Sequence, residues 1–126
     1  MTTFHDELSK MRSDQAAQYV VTISDDLDDE QYDDLLESLC AYSWTDSDRE
    51  LLLSYYLRRA PYRSTRIFEA LLSFVSPDEF MSVYKREVND QTDLDLFRYN
   101  VLVACFHLEK PPEFVDRMKE LLNRLS

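Results

Sequence analysis

The sequence of 126 residues contains no glycine. At ordinary usage a chain of this length would carry about nine. Glycine supplies the positive backbone angles of primed hairpin turns, the close approach of phosphate-binding loops and the sharp turn of nucleophile elbows. Its absence speaks against β-rich folds, P-loops, dinucleotide-binding folds and α/β-hydrolases. Cysteine is scarce as well. Cys40 and Cys105 fall in apolar helical surroundings and read as two buried, reduced thiols of an intracellular chain. Long hydrophobic runs are missing: the longest, such as Val101 to Phe106, cannot cross a bilayer, and Met1 to Arg12 lacks the apolar centre of a signal peptide. The expected location is the cytoplasm, away from membranes.

Basic residues are missing from one long stretch. No Lys or Arg lies between Arg12 and Arg49, while Asp25, Asp26, Asp28, Asp29, Glu30, Asp33, Asp34 and Glu37 all fall there. The whole net charge of -11 belongs to residues 1–50, and residues 51–126 are balanced. An acidic end on a neutral body attracts a basic partner and repels nucleic acid and anionic membrane.

What is present is helical periodicity. A first helix is expected after Thr3, through Phe4, Leu8, Met11 and Gln15 toward Tyr19. Asp28 with Gln31 forms a reciprocal cap for a second, with Tyr32, Leu35, Leu36, Leu39 and Cys40 as its apolar stripe. Thr45 with Asp48 repeats that pattern for a third, which must stop near Pro61. Ile67, Leu71, Phe74 and Val75 mark a fourth, and Ser76, Pro77 and Glu79 open a fifth. A sixth starts at Thr92 or Asp93. Its Leu94, Phe97, Val101, Cys105 and Leu108, with further apolar residues around them, make it the expected centre of the core. Pro111 and Pro112 launch the last. The expected fold is one all-α domain over residues 1–126, of about seven amphipathic helices arranged as an irregular bundle or as stacked helical hairpins.

At 100° per residue, Glu30, Asp33, Asp34 and Glu37 share an arc of roughly 100° opposite the apolar stripe of the second helix. Four like-charge pairs at helix-neighbour spacing cost roughly 1–2 kcal/mol together. A face solvated only for solubility would intersperse lysine or arginine. Acids repeating about every 5 Å approximate the charge spacing of a nucleic-acid strand, so a basic nuclease or other nucleic-acid-directed protein could receive this face in place of its substrate. Tyr42 and Trp44 follow directly and are candidate anchors, with a core position as the alternative for Trp44.

Other readings have less in their favour. Arg58, Arg59, Arg63 and Arg66, interleaved with Tyr55, Tyr56 and Tyr62, could contact nucleic acid, or could pair with the acidic end of the same chain. Asp26, Asp28, Glu30 and Glu37 match four positions of a calcium loop, but Gln31 stands where its glycine is needed. His5 and His107 are far apart and no metal-ligand spacing exists, so neither metal nor cofactor is expected. An enzyme would need a pocket joining His107 or a carboxylate pair to other polar groups. In general character the sequence resembles small acidic bacterial immunity proteins and phage-encoded inhibitors, a likeness that rests on no motif and assigns no residue. The expectation is a non-enzymatic, stoichiometric binding protein for a basic toxin or nucleic-acid-directed enzyme. The rival is a helical adaptor or chaperone holding a peptide in an apolar groove lined by Tyr and Phe residues around Tyr55 to Tyr84.

Overall fold

The computed structural model describes residues 4–59, 62–88 and 94–125. They form eight α-helices and no strand: α1 (Phe4–Ser9), α2 (Ser13–Ile23), α3 (Asp29–Ala41), α4 (Asp46–Leu57), α5 (Arg66–Leu72), α6 (Pro77–Glu87), α7 (Leu94–His107) and α8 (Pro112–Asn123), with a short 3-10 turn at Ser24–Asp26. The sequence cues at Thr3, Pro61, Thr92 and Asp93 lie outside the described residues.

Each helix packs chiefly on the one two places along the chain: α1 on α3, α3 on α5, α5 on α7, and in the same way α2, α4, α6 and α8. Two layers result, one of odd and one of even helices, with a continuous apolar core between them. Of the two architectures the sequence allows, stacked helical hairpins describe the chain. The helix count is one more than expected because the first helix divides at Lys10 to Arg12. Ser13 Oγ donates to Asp48 Oδ2 at 2.6 Å and accepts the Thr45 N–H, while the Tyr42 hydroxyl donates to the Met11 carbonyl at 2.7 Å. These contacts from residues over thirty positions away tie down the start of α2 and replace the reciprocal cap expected of Thr45. The Asp28–Gln31 cap and the Ser76 cap form as their sequences imply.

The odd and even layers are locked by aromatic rings. Phe97 of α7 stacks on Tyr84 of α6 at 4.1 Å between centroids and meets Phe68 of α5 edge-on at 5.6 Å, and Phe68 in turn meets Tyr62 and Phe80. On the other side of the stack, Tyr56 is fully buried and its hydroxyl pairs with Ser24 at 2.6 Å.

Burial pushes the Tyr32 hydroxyl up to about 12, with Arg63 opposing part of the rise, and also raises Tyr56 and Tyr62 above the ordinary 10.0. The unfolded chain releases these protons near pH 10 and the folded chain holds them. Stability is therefore complete below about pH 10 and lost as pH climbs toward and beyond 12. In a base titration, phenolate absorbance from the buried tyrosines should rise together with loss of helical circular dichroism. Smooth ionisation of all eight tyrosines with the helices intact would contradict this.

The missing glycine leaves its mark at the end of α7, where Glu109 takes the left-handed conformation (φ 53°). The amide of Lys110 bonds to the Cys105 carbonyl at 3.1 Å, a helix-ending closure that usually employs glycine. Glu109→Gly should stabilise the chain by about 1 kcal/mol by removing the Cβ clash, seen as a higher thermal midpoint; a lower midpoint would contradict the strain.

Candidate functional site

The acids of α3 lie where helical periodicity puts them. Tyr32, Leu35, Leu36 and Leu39 are buried, while Glu30, Asp34 and Glu37 are exposed and Asp33 is half-buried, accepting a hydrogen bond from Ser64 Oγ at 3.3 Å. The neighbouring arginines are committed elsewhere. Arg59 lies 3.5 Å from Asp25 and over the Tyr55 ring. Arg63 pairs with Asp29 at 3.1 Å, donates to the carbonyls of Ser24 and Leu27, and sits 4.4 Å above the Tyr32 ring. Arg58 faces Glu87. Three members of the arginine cluster thus pair within the chain, two of them with its acidic end. No described residue supplies an ion pair or hydrogen bond to the side chains of Glu30, Asp34 or Glu37.

Charges elsewhere in the chain are paired internally in the same manner. Arg117 holds Asp78 at 2.6 Å, and this hydrogen bond keeps the Asp78 carboxyl below the usual carboxylate range. Arg86 bridges Glu50 and Glu87, and Arg49 bridges Asp46 and Glu79. These exposed pairs each contribute little to stability, but they leave the unpaired acidic charge of the α3 face standing out.

The anchors expected beside that helix are placed differently. Trp44 is 7% exposed and its indole N–H donates to the Leu39 carbonyl, so it closes the α3–α4 turn from inside. Tyr42 is half-buried against Trp44, their ring centroids 4.3 Å apart, and its hydroxyl is spent on Met11. Trp44 offers no free ring to a partner, whereas Tyr42 keeps part of its ring exposed. The apolar groove expected around Tyr55 to Tyr84 is filled: Tyr55, Tyr56, Phe68, Phe80 and Tyr84 are all core residues.

A groove of about 430 Å³ does open along the odd layer. Short α5 is its floor, with Asp33, Glu37 and Cys40 of α3 on one side and His107 at the end of α7 on the other; Arg66 and Glu69 rise from the floor. His107 Nδ1 lies 3.2 Å from Glu69 Oε1. Cys40, expected to be buried, is exposed where it lines this groove; Cys105 is buried as expected, and burial raises its thiol pKa. The groove therefore joins His107 to carboxylates. Cys40 Sγ donates to the Leu36 carbonyl, and among the described residues no hydroxyl or thiol is hydrogen-bonded to His107. Among the described residues no group of three or more His, Cys, Asp and Glu could hold a metal ion, and no helix is long and apolar enough to cross a membrane. The calcium-loop positions are taken up by the 3-10 turn and the capped start of α3.

Sequence reasoning found α7 but, by placing it at the centre of the core, missed its outward face. Its Phe97, Val101, Ala104 and Cys105 enter the core, but it is the last helix of its layer, and Leu96, Tyr99 and Phe106 on the far side are 53%, 66% and 80% exposed. They are the large exposed hydrophobic residues among those described. Comparisons with models of protein families, with curated proteins and with solved structures found no match.

Proposed function

We propose that this chain is a stoichiometric binding protein that engages and neutralises a basic protein, in the manner of an immunity protein or an inhibitor of a nucleic-acid-directed enzyme. One observation carries the reading: Glu30, Asp34 and Glu37 of α3 stay exposed without an internal cation, although neighbouring arginines pair with Asp25 and Asp29. A helix bearing like charges at neighbouring positions is locally unfavourable, and a cationic partner relieves that cost on binding. Glu30, Asp33, Asp34 and Glu37 steer the encounter and supply polar contacts, and no direct binding of nucleic acid is expected of so acidic a surface. Trp44 supports the α3–α4 turn from inside, and the partly exposed Tyr42 stays a candidate contact at the edge of the face.

The test is affinity capture from lysate of the native source, comparing wild type with the Asp33→Lys, Asp34→Lys, Glu37→Lys variant at low and moderate salt. One basic protein held by wild type and lost by the folded variant supports the reading. Capture of many clients by both forms overturns it in favour of an adaptor or chaperone.

A further inference from the structure

The far side of α7 is an apolar seam of regular geometry. Leu96, Tyr99, Val103 and Phe106 recur at intervals of three, four and three, the spacing with which one helix offers a stripe to another. On the helical wheel they span about 80°, opposite Phe97, Val101 and Ala104. Isolated exposed hydrophobics need no explanation, but a continuous row of large ones does. Within the stack every earlier odd helix receives a following odd helix, and α7 is the last, so the seam lies on a helix with room for another beside it.

The charge beside the seam specifies the visitor. On the α8 side Asp95 is almost fully exposed and is paired with Arg98 at 3.3 Å. On the other flank lies the groove, where Asp33, Glu37 and Glu69 outnumber the cation Arg66, joined to the seam through adjacent Phe106 and His107, whose rings are 6.1 Å apart. The acidic excess therefore borders the apolar row on its groove side. We infer that the seam binds one amphipathic helix of a partner, apolar along its centre and flanked by lysine or arginine, an inference that rests on the basic partner proposed above. Tyr99 and Phe106 serve as the buried anchors and the flanking acids meet the basic side chains. A second copy of this chain fits poorly, because each brings a net charge of -11 and the same acidic border.

The probes are two synthetic helical peptides of about 18 residues sharing one apolar stripe, flanked in one by lysine and in the other by glutamate, titrated by fluorescence anisotropy. The lysine-flanked peptide should bind wild type and bind the Tyr99→Ser, Phe106→Ser variant at least about tenfold more weakly. The glutamate-flanked peptide should be weaker on wild type by a similar factor. Because both side chains are mostly exposed, the variant should keep its helical spectrum and thermal midpoint, with Phe106→Ser alone as the milder control. Equal binding by wild type and variant, no binding of the lysine-flanked peptide, or a wild-type dimer in sedimentation that becomes monomeric in the variant would each overturn the inference. With the captured protein itself, loss on reversing the α3 charges but not on changing Tyr99 and Phe106 overturns the seam and leaves the acidic-face reading standing. Retention by both variants sinks the two together.

Discussion

Phe68→Ala should destabilise the chain by about 3–5 kcal/mol, the cost of emptying a core aromatic site, and lower its thermal midpoint by roughly 10–20 °C. Phe68 is 1% exposed and its ring touches Tyr62, Phe80 and Phe97, so one side chain joins α5 to α6 and α7. The cavity cannot close easily, because Phe97 is held from its other side by stacking on Tyr84. The consequence reaches the site: α5 is the floor of the groove and α7 carries the seam, and both lose their common support. Thermal and denaturant melts measure the effect. A loss below about 1 kcal/mol would mean that the aromatic cluster does not lock the layers.

The second large effect concerns binding. Reversing Asp33, Asp34 and Glu37 to lysine changes the net charge from -11 to -5 and removes most of the exposed acidic arc of α3. For the basic partner, the association rate at low salt should fall by about 10- to 100-fold, and its dependence on ionic strength should flatten. Dissociation should change less, because fully buried contacts set residence time more than steering charges do. Stability should change by only about a few tenths of a kcal/mol, since Glu30 then meets lysine at positions 33 and 34 while the 33/37 and 34/37 pairs stay like-charged; Asp33 gives up only a 3.3 Å bond from Ser64. Stopped-flow or surface-binding kinetics across a salt series separate the two rates. An association rate that is unchanged, or that falls only because the variant unfolds, would contradict the assigned steering.

The local signals were read correctly where they act over one or two helical turns. The Asp28 and Ser76 caps, the buried stripe of α3 and its outward acids follow from residue type and spacing, and the absence of strands among the described residues agrees with the missing glycine. What spacing could not reveal is what a distant segment contributes. The break before Ser13 depends on Thr45 and Asp48 reaching across from α4, and the position of Trp44 depends on a carbonyl of α3 and the ring of Phe74. The arginines paired with Asp25 and Asp29 were recognisable as candidates for such pairing, but not as leaving Glu30, Asp34 and Glu37 unpaired.

The instructive miss is α7. A helix with apolar residues on more than one face reads as the middle of a core, yet the same composition fits a helix at the end of a stack with one side turned outward. The row Leu96, Tyr99, Val103 and Phe106 was present in the sequence. The stack order, which only the tertiary contacts give, tells which of its two apolar faces is covered. Cys40 illustrates the same point on a smaller scale, since its exposure reflects the groove that opens between helices and not any feature of α3 alone.

The most direct test of the central claim is an amide hydrogen-exchange footprint of this chain, free and in complex with the basic protein it captures. Slower exchange along α3 on binding, centred on residues 30–37, is the predicted result. Protection confined to the even layer, with α3 exchanging as in the free chain, would contradict the assignment of the acidic face as the partner surface.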